Sequence, residues 1–125
     1  EETAFSKISI EQKTVYILSI YDMEIQNGGL CQFFVNSSRS LAPYIEDNLN
    51  KIGATEHEKI FTEFIENNNI DVNNLDSFII SDVEEYEAQT KRYDFDSFDN
   101  KYIGIGIVEN NLLKRDVVLK EDIEE

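Results

Sequence analysis

The chain has 125 residues, of which 26 are acidic and 11 basic, and its formal charge is −15. A protein this negative repels phosphate backbones and anionic lipids, which argues against direct binding to nucleic acid or to a membrane. Its length fits a single domain over residues 1–125, and its one cysteine excludes an internal disulfide.

The first predicted helix spans residues 11–26. Its apolar residues recur three or four positions apart, which is the period of an α-helix: Val15, Leu18, Tyr21 and Ile25. The breadth of this apolar stripe predicts a helix at the centre of the bundle. We expect the helix to end at residues 27–29, because asparagine and glycine tolerate the positive φ angles of a helix C-terminus.

A short second helix is predicted at Leu30, Phe33 and Phe34, before the polar run of residues 36–40. The apolar positions of a third helix fall on one face: Leu41, Tyr44, Ile45, Leu49 and Ile52. Pro43 is tolerated in its first turn, and Gly53 is expected to end it.

A capping box is predicted at the start of the fourth helix. Thr55 and Glu58 have the required spacing, at which each side chain accepts a hydrogen bond from the other residue's free backbone amide. The helix then continues through its apolar positions: Ile60, Phe61, Phe64 and Ile65. His57 lies in the capping turn, and we therefore expect it to be exposed.

Two further helices are predicted in the second half of the chain. The apolar residues of the fifth are Phe78, Ile79, Val83, Tyr86 and Tyr93, and those of the sixth are Phe95, Phe98 and Tyr102. From Ile103 onward we expect helix, although the β-branched residues there also suit strands. The sequence thus predicts an all-α fold, an irregular bundle of about five to seven short helices.

Residues suited to catalysis are scarce. The only imidazole is His57 and the only thiol is Cys31, and we expect the first at the surface and the second in the core, so they are not predicted to pair. The acidic run of residues 94–99 lacks the glycine of a calcium loop, and helix capping is the preferred interpretation. We expect no enzymatic activity, no metal ion and no cofactor.

Seven acidic side chains occur within 18 residues, opposed only by Lys91 and Arg92. They are Asp82, Glu84, Glu85, Glu87, Asp94, Asp96 and Asp99. Carboxylates three or four positions apart on a helix lie about 5 to 6 Å apart at Cβ, which approaches the spacing of phosphates along a strand. Two interpretations stay open: a partner-binding surface that imitates DNA, or a solvated surface that keeps the protein soluble. Composition by itself favours the second.

A sequence signature occupies residues 24–38, which read E-I-Q-N-G-G-L-C-Q-F-F-V-N-S-S, followed by L-A-P at residues 41–43 and K-I-G-A at residues 51–54. This combination resembles a bacterial family of DNA-mimic-protein-like domains whose function is largely unknown. The resemblance implies an all-helical fold and an acidic dimer that blocks a transcription factor by occupying its DNA-binding surface. The signature residues themselves are not acidic, so we interpret them as structural: Asn27, Gly28, Gly29, Gln32, Phe33, Asn36, Ser37 and Ser38.

The leading hypothesis is a non-enzymatic protein that binds a basic partner, such as a DNA-binding protein, through its acidic C-terminal half. Residues 71–125 contain 15 acidic and six basic side chains. The lack of a disulfide framework favours a cytoplasmic location, and the resemblance implies a homodimer.

Two alternatives remain. The first is a pocket protein or an unrecognised enzyme whose site is the polar corner, defined as Asn27, Gln32, Asn36, Ser37 and Ser38. The second is an immunity-type protein that neutralises a basic toxin with the same acidic surface.

Overall fold

The computed structural model describes residues 9–108, and every regular element in that range is helical. The elements are α1 (Ile10–Val35), a 3₁₀ helix (Ser37–Tyr44), α2 (Ile45–Lys51), α3 (Thr55–Asn67), a 3₁₀ helix (Asp76–Phe78), α4 (Val83–Thr90) and α5 (Phe95–Ile105). The predicted all-α fold is confirmed. No helix of this range is long and apolar enough to cross a membrane. Of the stretch predicted as helix from Ile103 onward, residues 103–105 are helical and residues 106–108 are not, because the helix ends before Gly106, whose φ is positive. Residues 109–125 lie outside the described residues.

Helix α1 begins at a capping box that the sequence analysis did not predict. The Gln12 amide donates to Ser9 Oγ at 3.1 Å, and the Ser9 amide donates to Gln12 Oε1 at 2.9 Å. The predicted break at residues 27–29 is confirmed at Gly29, although no loop follows it and α1 continues to Val35 across a kink. Only Gly29, with φ of 82° and ψ of 179°, leaves the helical region. The predicted first and second helices are therefore two arms of one kinked helix.

The third predicted helix begins later than expected. Residues 37–44 form a 3₁₀ helix that contains Pro43, and the α-helical part starts at Ile45. Asn48 then ties α2 to α1, because its Oδ1 atom accepts from Thr14 Oγ1 at 2.6 Å and its Nδ2 atom donates to the Tyr44 carbonyl at 2.7 Å.

The capping box predicted at Thr55 is not formed. Ala54 occupies the N-cap of α3, and no side chain caps this helix end. Thr55 is already the first helical residue, and Glu58 instead accepts a hydrogen bond from Asn50 Nδ2 at 3.2 Å. His57, expected at the surface, is only 2% exposed. It faces inward with Phe61 and Phe64, which follow it at helical spacing.

The fifth predicted helix is shorter than its apolar pattern suggested. Phe78 belongs to the preceding 3₁₀ helix and is 1% exposed, while α4 starts only at Val83. Asp82 fixes this start, because its side chain accepts from the Glu85 amide at 2.8 Å. The sixth predicted helix is confirmed as α5, which ends at Ile105 and is followed by the C-cap Gly106 with φ of 102°.

The core is built around α1, which packs against the first 3₁₀ helix, α2, α4 and α5, as the central position predicted. Aromatic rings fill the space between these helices. Phe34 stacks on Phe78 with centroids 4.8 Å apart, and Phe64 stacks on Phe95 at 5.3 Å. Cys31 is 3% exposed and lies in this core, as predicted.

Candidate functional site

Three side chains of the polar corner converge on one buried carboxylate, that of Glu24. Gln32 Nε2 donates to Glu24 Oε1 at 2.9 Å, and Asn36 Nδ2 lies 3.2 Å from Oε1 and 3.1 Å from Oε2. Ser38 Oγ donates to Oε2 at 2.7 Å. Glu24 is 8% exposed, so these donors replace the water that a surface carboxylate would bind.

The charge of Glu24 is held in place by these contacts. Burial by itself raises the pKa of this carboxyl, but the hydrogen bonds from Gln32, Ser38 and Asn36 outweigh it and leave the pKa below its ordinary value. The network links the two arms of α1 to the first 3₁₀ helix. Sequence reasoning missed Glu24, although it begins the signature and six amide or hydroxyl side chains, including its three partners, follow it within 14 residues.

The two glycines of the signature lie at the kink of α1. Gly29 has positive φ, and a Cβ atom there would lie 2.3 Å from Asp99 Oδ2. A Cβ atom at Gly28 would meet Gln32 Oε1 at 1.9 Å. Phe33 is fully buried, whereas Asn27 and Ser37 are exposed.

The structure divides the seven acidic residues of the predicted surface. Six are exposed and form the acidic α4–α5 surface: Asp82, Glu84, Glu85, Glu87, Asp94 and Asp96. Asp99 is half-buried behind the kink, where its Oδ1 atom accepts from the Leu30 amide at 3.0 Å. Asp99 is therefore separate from the surface to which the sequence assigned it.

Half of the acidic α4–α5 surface also organises helix ends. Asp82 caps α4 and Asp94 caps α5, where its Oδ1 atom accepts from the Ser97 amide at 3.1 Å. Glu85 Oε1 accepts from the Ser81 amide at 2.6 Å. The capping role predicted for the run of residues 94–99 is thus found at Asp94, and these carboxylates are fixed in direction while remaining exposed.

Lys91 and Arg92 form no ion pair with this surface within residues 9–108. Arg92 donates to Gln89 Oε1 at 2.8 Å and to the Ser77 carbonyl at 3.2 Å, and its guanidinium lies 4.9 Å from the centre of the Phe78 ring. Within residues 9–108 the one ion pair joins Lys51 to Asp47 on α2. The negative charge of the acidic α4–α5 surface is consequently available to a partner.

A second polar cluster is buried between α1, α3 and α5. The Asp22 carboxylate accepts from the Tyr102 hydroxyl, from the Val108 amide at 3.3 Å and from Gln26 Nε2 at 2.6 Å. The ring of His57 lies 4.5 Å from that of Tyr102, centre to centre, and its two nitrogens have no hydrogen-bond partner among residues 9–108.

The nucleophile and base candidates are both held in uncharged forms. Burial lowers the pKa of His57, and the nearby carboxylates oppose this shift. The Gly106 backbone also opposes it, since it lies near the ring although its geometry is too poor for a hydrogen bond. Burial, with the charge of Asp99, raises the pKa of Cys31 to about 11, which keeps the thiol protonated at neutral pH. No group of three or more histidine, cysteine or acidic side chains suited to a metal ion occurs in the described part of the chain.

A cleft of about 500 Å³ opens beside the kink of α1. Its walls come from the end of the first arm, from the kink itself and from α5 and the residues after it, and they include Ile25, Asn27, Gly29, Asp99, Tyr102 and Ile103. Sequence reasoning pointed to this region through Asn27 and the glycines. It did not connect them with Asp99 or Tyr102, which lie far along the chain.

The comparisons with curated proteins and with solved structures gave no match. The family model of the DMP19-like proteins matches residues 6–118, which is most of the chain and includes the whole signature and all five α-helices. The resemblance seen in the signature is confirmed by this match. The chain belongs to the DMP19-like protein family.

Proposed function

We propose that this protein is a non-enzymatic DNA mimic that occupies the DNA-binding site of a basic protein with its acidic α4–α5 surface. The family takes its name from DNA mimic protein 19, which supports this class of function. The proposal includes a cytoplasmic location, which the single cysteine favours, and the homodimer that the family resemblance implies.

The observation that carries the proposal is the density of unpaired carboxylates on α4. This helix has eight residues and is therefore about 12 Å long. With the N-cap Asp82 included, residues 82–90 span about 13.5 Å and carry Asp82, Glu84, Glu85 and Glu87. That is about one charge per 3.4 Å, close to the spacing of phosphates along the axis on one strand of B-DNA. A protein site that recognises the charge spacing of a DNA strand would meet a similar spacing on this helix.

The rigidity of the surface also supports the proposal. Asp82 and Glu85 are bonded to backbone amides at the start of α4, and Asp94 is bonded at the start of α5. Side chains that are already ordered lose less entropy when a partner binds.

The Glu24 network argues against the polar corner as a ligand site. Gln32, Asn36 and Ser38 already donate to Glu24 and are not free to bind a ligand without breaking these bonds. Under this proposal the polar corner is a scaffold that fixes the kinked α1 against the rest of the bundle.

The proposal is tested by capture of the partner from a lysate on the immobilised protein, with elution by a salt gradient and identification by mass spectrometry. The test variant carries Glu84→Gln, Glu85→Gln and Glu87→Gln, which removes charge but retains side-chain length. The control carries Glu56→Gln, Glu63→Gln and Glu66→Gln on α3, which changes the net charge equally. We expect the wild type and the control to retain one basic DNA-binding protein and the test variant to release it at lower salt. Equal elution from both variants would remove the acidic α4–α5 surface from the proposal.

A further inference from the structure

Asp99 is a half-buried carboxylate with one oxygen turned toward the cleft at the kink. Its Oδ1 atom accepts from the Leu30 amide, while its Oδ2 atom accepts no hydrogen bond from residues 9–108 and lies over the bare Cα of Gly29. Burial raises the pKa of this carboxyl, the Leu30 amide opposes the shift, and the charge of Asp96 adds to it. Asp99 is thus a partly dehydrated anion with an unused acceptor in the cleft.

The kink holds the Asp99 carboxylate in one orientation. The angles of Gly29 are non-helical, and the Leu30 amide, at the start of the second arm, donates to Asp99 Oδ1. This bond fixes one oxygen of the carboxylate and leaves the other without a donor from residues 9–108.

The other walls of the cleft are apolar. Ile25, Ile103 and Ile107 line it together with the ring of Tyr102, and the side chain of Ile103 is 76% exposed. The volume of about 500 Å³ falls within the range of small-molecule sites. A ligand that matches these walls carries an apolar stem beside its charged group.

The charges in and around the cleft select the kind of ligand. A protein of charge −15 repels anions, and a single carboxylate suits a monovalent cation better than a divalent metal, which needs several oxygen ligands. We propose that the cleft between the kink of α1 and α5 binds a small organic cation with an ammonium group on an aliphatic stem. The ammonium contacts Asp99 Oδ2, and the stem covers Ile103 and Ile107. This site is separate from the acidic α4–α5 surface and does not depend on the proposed function.

The probe for this site is 1-pentylammonium, titrated into the full chain with backbone amide resonances followed by NMR. 1-Pentanol has the same stem without the charge, and pentanoate has the opposite charge. We expect saturable shifts from pentylammonium at residues 27–30 and 99–107, weaker binding of pentanol by at least about tenfold, and no saturable shifts with pentanoate. Equal binding of pentanol and pentylammonium would overturn the proposal.

Two variants separate a site from general attraction to an acidic protein. Asp99→Asn and Asp96→Asn each remove one negative charge, and an asparagine oxygen at position 99 can still accept from the Leu30 amide. We expect Asp99→Asn to weaken pentylammonium binding by at least about tenfold. Because Asp96 is exposed and lies outside the cleft lining, Asp96→Asn should weaken it by less than about twofold. Equal losses of pentylammonium affinity in the two variants would show that the cation is attracted only by the net negative charge, and would overturn the proposed site.

A third variant keeps the test valid if Asp99→Asn disturbs the kink. Ile103→Ser changes an exposed side chain and leaves the core intact. We expect it to weaken binding of pentylammonium while methylammonium, which has no stem, binds the variant and the wild type alike. Unchanged pentylammonium binding in Ile103→Ser would overturn the assignment of the stem.

Discussion

At the scale of single residues, the protein treats two buried ionisable groups in opposite ways. Glu24 keeps its charge because three neighbouring side chains donate hydrogen bonds to it. His57 receives no such partner within residues 9–108 and is kept neutral by burial. Carboxylates buried with donors stabilise a fold, whereas unpartnered polar groups lower its stability.

We predict that Glu24→Gln lowers the free energy of unfolding by about 2 kcal/mol, the range for hydrogen bonds to a charged group. The new amide would place a donor against the donors of Asn36 and Ser38. Urea unfolding followed by circular dichroism measures the change. The exposed Glu87→Gln is the control and should alter stability by less than about 0.5 kcal/mol. Equal values for the two variants would show that the Glu24 network does not stabilise the fold.

The pH dependence of stability should depend on His57. Its folded pKa lies below the unfolded value of about 6.5, so the unfolded chain binds more protons in acid. The stabilisation associated with neutral His57 is therefore complete above about pH 6.5 and is lost as the pH falls toward the folded pKa.

We predict that His57→Phe is more stable than the wild type by about 1 kcal/mol at pH 8, because it removes unpartnered nitrogens from the core. This advantage should grow between pH 7 and pH 5, since phenylalanine binds no proton. Urea unfolding of both proteins across this range provides the comparison. Parallel pH profiles would contradict a buried, neutral His57.

At the scale of the elements, the kink of α1 positions both the Glu24 network and the cleft. Its cause is one residue, Gly29, whose φ of 82° and ψ of 179° are accessible almost only to glycine. The periodicity of residues 11–26 and 30–34 predicted both arms correctly. The periodicity could not show that the two arms follow each other without a loop, because glycine is suited both to the end of a helix and to a kink within one.

We predict that Gly29→Ala lowers the free energy of unfolding by about 3 kcal/mol or more, from backbone strain together with the clash with Asp99. Gly53 is a matched control, because its φ is also positive, at 74°, but a Cβ atom there meets nothing within 4 Å. Gly53→Ala should cost only the strain, about 1 kcal/mol. Chemical denaturation of the two variants tests this difference. Similar losses in both would mean that contact with Asp99 is unimportant.

Other elements show where local sequence patterns were insufficient to predict a helix start or the burial of a side chain. The Thr55 capping box failed because α3 starts one residue earlier than the motif requires. The burial of His57 depends on its packing against Tyr102, 45 positions along the chain, and no local pattern encodes that contact. In α5 the spacing of the aromatic residues was sufficient to predict the helix and its buried side, since Phe95, Phe98 and Tyr102 are all buried.

At the scale of the whole molecule, the excess of negative charge distinguishes this protein from an ordinary helical bundle. The sequence located the acidic cluster, and six of its seven residues are exposed in the structure. The sequence could not separate Asp99 from the others, because its burial depends on the kink of a distant helix. Because six carboxylates concentrate negative charge on one surface, they attract a basic partner from a distance. We therefore expect binding to be rapid and to depend strongly on salt concentration.

The most direct test of the central claim is competition with DNA. Labelled duplex DNA is bound to the captured partner, and its displacement by this protein is followed by fluorescence anisotropy. We predict that the wild type and the α3 control displace the DNA, and that the variant with Glu84→Gln, Glu85→Gln and Glu87→Gln needs at least about a tenfold higher concentration. A partner that keeps its DNA while bound to this protein, or equal displacement by the two variants, would contradict DNA mimicry through the acidic α4–α5 surface.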